Sequence, residues 1–101
     1  MTRAASAAPR GDVIDIGAIR WRERVRIRGH VRSLRLHPIG EGITVLECTI
    51  VDGSGGITIA FLGRRRVAGI ELGRRLEAEG MVAEVRERLT IINPSYRLLG
   101  S

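Results

Sequence analysis

In the stretch RWRERVRIRGHVR, residues 20–32, every even position is basic: Arg20, Arg22, Arg24, Arg26, Arg28, His30 and Arg32. Guanidinium groups repeated at that spacing suit a row of phosphates, because each planar fork matches phosphate oxygens and can also stack on a base. Between them stand Val25, Ile27 and Val31. A period of two is the period of a β-strand, whose side chains alternate between faces. The stretch therefore reads as a strand with apolar residues turned inward and arginines turned outward. Residues 20–35 hold seven arginines against one acid, Glu23, and a second basic cluster follows at Arg64, Arg65 and Arg66.

Other chemistry finds less support. Catalysis needs converging reactive groups. The chain offers two histidines, His30 and His37, and one cysteine, Cys48. Cys48 lies in an apolar run and reads as a small core residue, so the three do not make up a metal-ligand set. GSGG at 53–56 lacks the Gly-Lys-Ser/Thr of a phosphate-binding loop. Asp52 reads as an acceptor for backbone N–H groups in a turn rather than as a base. The expectation is a chain with no catalytic residues, no metal and no cofactor.

The whole chain has 101 residues and a formal net charge of +6, with an isoelectric point near 11.3. All 17 Lys+Arg residues are arginine. A GC-rich codon bias accounts for arginine in place of lysine, but not for the excess of positive charge or its clustering. The length suits one small domain. MTRAASAAPR lacks the apolar segment of a signal peptide, so residues 1–11 read as a disordered tail and 12–101 as a single domain. No run approaches the ~18 apolar residues of a membrane span. One unpaired cysteine fits a reducing cytoplasm.

The elements that would position the arginines are strands. Residues 12–19 read as a lead-in strand or turn and 22–36 as a first long strand, with Gly29 marking a bulge or bend. HPIGEG, 37–42, reads as a loop. ITVLECTIVD, 43–52, and ITIAFLG, 57–63, form a hairpin across GSGG. Residues 64–74 read as an irregular link, with a turn or two of helix around Arg65–Ile70. Residues 75–86 form a fourth strand with Gly80 in its middle. A turn at Glu87–Arg88 leads to a fifth strand, 89–93, ended by Pro94. SYRLL, 95–99, supplies closing plugs from Tyr96 and Leu98 or Leu99.

Five strands with mid-strand glycines imply an all-β, five-stranded barrel, closed or partly closed, since a glycine lets a long strand bend and pair in both halves of a curved sheet. The expected core is Val25, Ile27, Val31, Leu46, Cys48, Ile50, Ile57, Ile59, Phe61, Leu76, Ala78, Val82, Leu89 and Ile91.

VRIRGHV, TIVDGSGGITIAFLG, IELGRRLEAEGMV and RLTIINPSYRLL, in that order, resemble the OB-fold nucleic-acid-binding domain of the tRNA-synthetase and helicase type. They are most similar to the OB core of the wedge domain of RecG-type branch-migration helicases. The residues that carry the likeness are Val51, Asp52, Ser54, Gly55, Gly56 and Ile57, then Phe61, then Ile70, Leu72 and Gly73, then Asn93, Pro94 and Tyr96. The likeness covers about residues 24–99, without the helicase motor or the wedge's helical extension. It implies a stand-alone, non-catalytic binding module for single-stranded DNA, with RNA as the second candidate. It also implies a role in DNA repair or recombination beside a helicase or repair protein.

OB domains bind across strands 2 and 3 and the flanking loops. The expected binding residues are Trp21, Arg24, Arg26, Arg28, His30, Arg32, Thr49, Thr58, Arg64, Arg65 and Arg66. Aromatics make up only 3% of the chain, so Trp21 is the sole candidate for stacking a base. Binding that rests on ~5 phosphates would give a log–log salt slope near about −3.5. The alternative is a protein-interaction or dimerisation module, built on outward Val45, Val51, Ala60 and Leu62.

Overall fold

A computed structural model describes residues 12–100, so the tail expected over residues 1–11 lies outside the described residues. A short 3-10 turn, Ile16–Ala18, precedes six strands: β1 Arg24–Gly40, β2 Ile43–Val51, β3 Gly56–Leu62, β4 Arg75–Val85, β5 Arg88–Ile92 and β6 Ser95–Leu98. Five of them close a ring in the order β1-β2-β3-β5-β4 and back to β1. All neighbours in the ring are antiparallel except β3 and β5. This is the expected all-β, five-stranded barrel. The SYRLL segment adds a strand, β6, which pairs with β4 outside the ring.

The barrel closes because β1 serves two partners. Residues 24–30 pair with β4, and residues from His30 onward pair with β2. Gly29 stands at the changeover. A Cβ there would run into the carbonyl oxygen of Val51 and lie 2.8 Å from Ile50 Cγ2, so only glycine admits β2 that close. The bulge itself falls three residues later than expected. The β1–β2 register slips between Val31 and Ser33, leaving Arg32 as the extra residue.

Every residue expected in the core is buried except Leu89, which is half-buried and packs against it. Val45 and Ala60, expected to face outward, are also buried. Ile16, Val67 and Ile70 join the core from outside the strands. The link between β3 and β4 contains no helix. Gly69 and Gly73 take left-handed φ values of 76° and 83°, which break the chain into turns and tuck Val67 and Ile70 inward.

Two boundaries differ from the sequence reading. HPIGEG is not a loop, because β1 continues to Gly40, with Pro38 opposite Thr44. Past His30, β1 pairs only with β2, and an edge strand tolerates the missing donor of proline. The β4–β5 turn is Arg86–Glu87, one residue early.

Candidate nucleic-acid interface

The alternation in RWRERVRIRGHVR is real, but its first half points away from β2 and β3. Val25 and Ile27 face the core, while Arg24, Arg26 and Arg28 lie on the outer face beside β4. There they meet acids. Arg26 Nη1 donates to Glu77 Oε2 at 3.0 Å and its Nη2 to Glu79 Oε1 at 2.9 Å. Arg28 Nε donates to Glu77 Oε1 at 2.9 Å, Arg24 pairs with Glu79, and Arg97 on β6 closes on Glu77. Glu77 is only 5% exposed. Burial alone would raise its pKa, but hydrogen bonds from Arg97 and Arg28 and the charges of Arg97 and Arg26 outweigh it and hold the carboxyl below the ordinary range. These three arginines are therefore partners in a structural ion network and do not form an open basic face.

Beyond the extra residue at Arg32, the side chains of β1 change sides. Leu34 and Leu36 now stand opposite Cys48 and Leu46, and Ser33, Arg35 and His37 take the outer parity. Strand register then sets four hydroxyl residues in one line across the sheet: Ser33 opposite Thr49, Thr49 opposite Thr58, and Thr58 opposite Thr90. Two adjoining grooves, ≈ 790 and ≈ 310 Å³, share Thr58 and Arg88 and make one trough over Thr49, Thr58 and Thr90, with Ser33 continuing the line beyond its lining. The Ile16–Gly17 segment walls one end; Arg32, Arg35, Arg86 and Arg88 line the trough.

None of those four arginines has an acidic partner among the described residues. Two acids line the trough, Glu47 and Asp52, and His37 Nε2 lies 3.1 Å from Glu47 Oε2. Arg86 and Arg88 arrive on a two-residue turn in which Arg86 and Glu87 both adopt left-handed φ, 52° and 66°. Side chains other than glycine meet strain there. Such outliers gather where function fixes the backbone.

Of the expected binding residues, the trough brings together Arg32, Thr49 and Thr58. His30 lies exposed at the junction between β4 and β2, outside both grooves. Trp21 is 51% exposed, with the Arg22 guanidinium 4.3 Å from its ring, and it also lies outside them. Arg64 lines a separate hollow beside Phe61, Asn93 and Tyr96, and Arg65 and Arg66 follow it in the exposed β3–β4 link. The sequence reading left out Arg35, His37, Arg86, Arg88 and Thr90. Arg86 and Arg88 had a usable signal, because they flank the loop between strands 4 and 5 that OB domains use.

The turn after β2 anchors the wall of the trough. Asp52 accepts hydrogen bonds from Ile16 N, Ser54 N, Ser54 Oγ and Gly55 N at 2.7–3.0 Å, and Ser54 Oγ accepts one from Gly17 N at 2.9 Å. Burial would raise the Asp52 pKa, but these bonds lower it to about 2. Asp52 is thus a turn acceptor, as its position in the sequence implied. Cys48 is fully buried, and burial, with the charge of Glu47, pushes its thiol up to about 11. No group of three His, Cys, Asp or Glu residues that could hold a metal occurs among the described residues. Nor, among them, is any helix long and apolar enough to cross a membrane.

No protein-family model matches the chain, and no curated protein matches it by sequence. Among solved structures, the chain is similar to the hypothetical protein ygiW from E. coli, with a TM-score of 0.59 and 20% identity over 90% of this chain and 94% of that one. At that identity the likeness speaks for the barrel fold alone.

Proposed function

We propose that the protein is a non-catalytic module that binds a single strand of nucleic acid along the trough. The carrying observation is the set of four arginines without acidic partners, Arg32, Arg35, Arg86 and Arg88, around the Ser33–Thr49–Thr58–Thr90 line. Unneutralised arginines attract phosphates and release counterions on contact. The ion network of Arg24, Arg26 and Arg28 contributes stability instead. The test is fluorescence anisotropy of labelled single strands and a duplex across a salt series. Contacts to ~4 phosphates of a single strand give a log–log slope near about −3. A slope near zero, or no binding at low salt, would refute the reading.

A second reading is a protein-docking surface. Val45 and Ala60 are buried and Val51 is half-buried, but Leu36, Ile39, Ile43 and Leu62 are 44–48% exposed. Under this reading Leu62→Asp breaks self-association or partner binding, while Arg35→Gln and Arg88→Gln leave it intact.

A further inference from the structure

We infer that the strand held in the trough is RNA, distinguished from DNA through the ribose 2′-hydroxyls by Thr49 and Thr58, with Ser33 next to Thr49 at the margin; this rests on the reading of the trough as a nucleic-acid site. Adjacent strands lie ~4.8 Å apart, so the hydroxyl line crosses the sheet in regular steps. Its last member, Thr90, is 3% exposed and its Oγ1 donates to Arg88 O at 3.3 Å. Ser33, Thr49 and Thr58 are half-buried and make no side-chain hydrogen bond among the described residues. Each hydroxyl therefore keeps both a donor and an acceptor for a ligand.

The charges lie beside this line. Strand register sets Arg32 and Arg88 on one side of it and Arg35 on the other. Phosphates meet the guanidiniums, and the sugars between them meet neutral hydroxyls. No Phe, Tyr or Trp lines the trough, and its one ring is the imidazole of His37, 3.1 Å from Glu47. Phe61 is in the core, Tyr96 OH is engaged by Ala68 O, and Trp21 stands outside with Arg22. Stacking on a guanidinium or on His37 would hold either polymer alike, so the chemical difference within reach is at the sugar, where the 2′-hydroxyl separates RNA from DNA. This departs from the DNA preference that the helicase resemblance implies.

The test compares oligouridylate with oligodeoxyuridylate of equal length, which differ only at the 2′ position. The ribose strand binds about tenfold tighter, in keeping with two to three net hydrogen bonds. Thr49→Val and Thr58→Val keep shape and strand preference while removing the hydroxyl. They bring the ratio towards one by weakening the ribose strand more than the deoxyribose strand. Ser33→Ala repeats the test on the edge strand if valine disturbs the sheet. Equal binding, or tighter binding of the deoxyribose strand, overturns the inference and leaves the trough as a nucleic-acid site. Binding of neither strand overturns the underlying reading as well.

Discussion

Arg28 and Glu77 stand directly opposite each other on β1 and β4, with Arg28 Nε donating to Glu77 Oε1 at 2.9 Å. The same carboxylate takes Arg26 and Arg97, so one buried acid holds three arginines from two strands. Removing it strands several charges at once, and Arg26 Nε already lacks a partner. Glu77→Ala is expected to destabilise the fold by about 2–3 kcal/mol. Urea unfolding measures this, and oligonucleotide affinity at the trough should stay within twofold of the parent. A large loss of affinity with little loss of stability would place these arginines back in the binding site.

Acid should weaken the fold through Asp52 and Glu77 together. Both have folded pKa values below their ordinary ones, Asp52 about 2 against 3.8. A lowered carboxyl pKa adds stability that is present above the unfolded pKa and is lost as pH falls through the folded one. Stability should therefore decline from about pH 5 down to about pH 2. Asp52→Asn should cost about 1–2 kcal/mol at neutral pH and flatten part of that decline. A pH series of urea midpoints decides, and an unchanged slope in the variant would count against this assignment.

Arg35→Gln combined with Arg88→Gln removes one cation from each side of the hydroxyl line. Affinity for a single strand should fall about tenfold or more, and the salt slope should shrink by about 1.4. Arg24→Gln, on the β4 face, should do neither. Anisotropy titrations at three salt concentrations separate these outcomes.

Gly29→Ala tests the changeover in β1. The added methyl meets the Val51 carbonyl and the buried Ile50, neither of which can move cheaply. A loss of about 2–3 kcal/mol is expected, read as a lower urea midpoint. A near-neutral result would mean that the two strands can separate here without cost.

The legible parts were those set by local periodicity. Val25, Ile27 and Val31 announced a strand, and the runs around Cys48 and Ile59 announced a hairpin. Asp52 and Ser54 announced a turn because their short side chains reach nearby backbone N–H groups. What stayed hidden depends on partners distant in the chain. Arg26 and Glu77 are 51 residues apart, so nothing near Arg26 shows that its charge is already matched. Pro38 looked like a loop residue because its tolerance rests on being at an edge. The extra residue at Arg32 has no compositional mark, since any residue can bulge. The motifs behind the family resemblance include Asp52, Ser54, Asn93 and Tyr96. All four serve the architecture: Asn93 Oδ1 accepts Leu62 N, and Tyr96 OH donates to Ala68 O.

The single surplus residue at Arg32 gives β1 something like a reading frame. Upstream of it even positions look outward; downstream, odd ones do. Deleting it would leave every cross-strand pair in place, with Leu34 still opposite Cys48 and Arg35 still outward. Pairing Arg32 itself opposite Thr49 would instead set Ser33 against Cys48 and Arg35 against Leu46, and turn Leu34 towards solvent. The unpaired residue thus keeps the barrel interior and the basic trough in step. Substitution at Arg32 removes only one charge and leaves that offset in place.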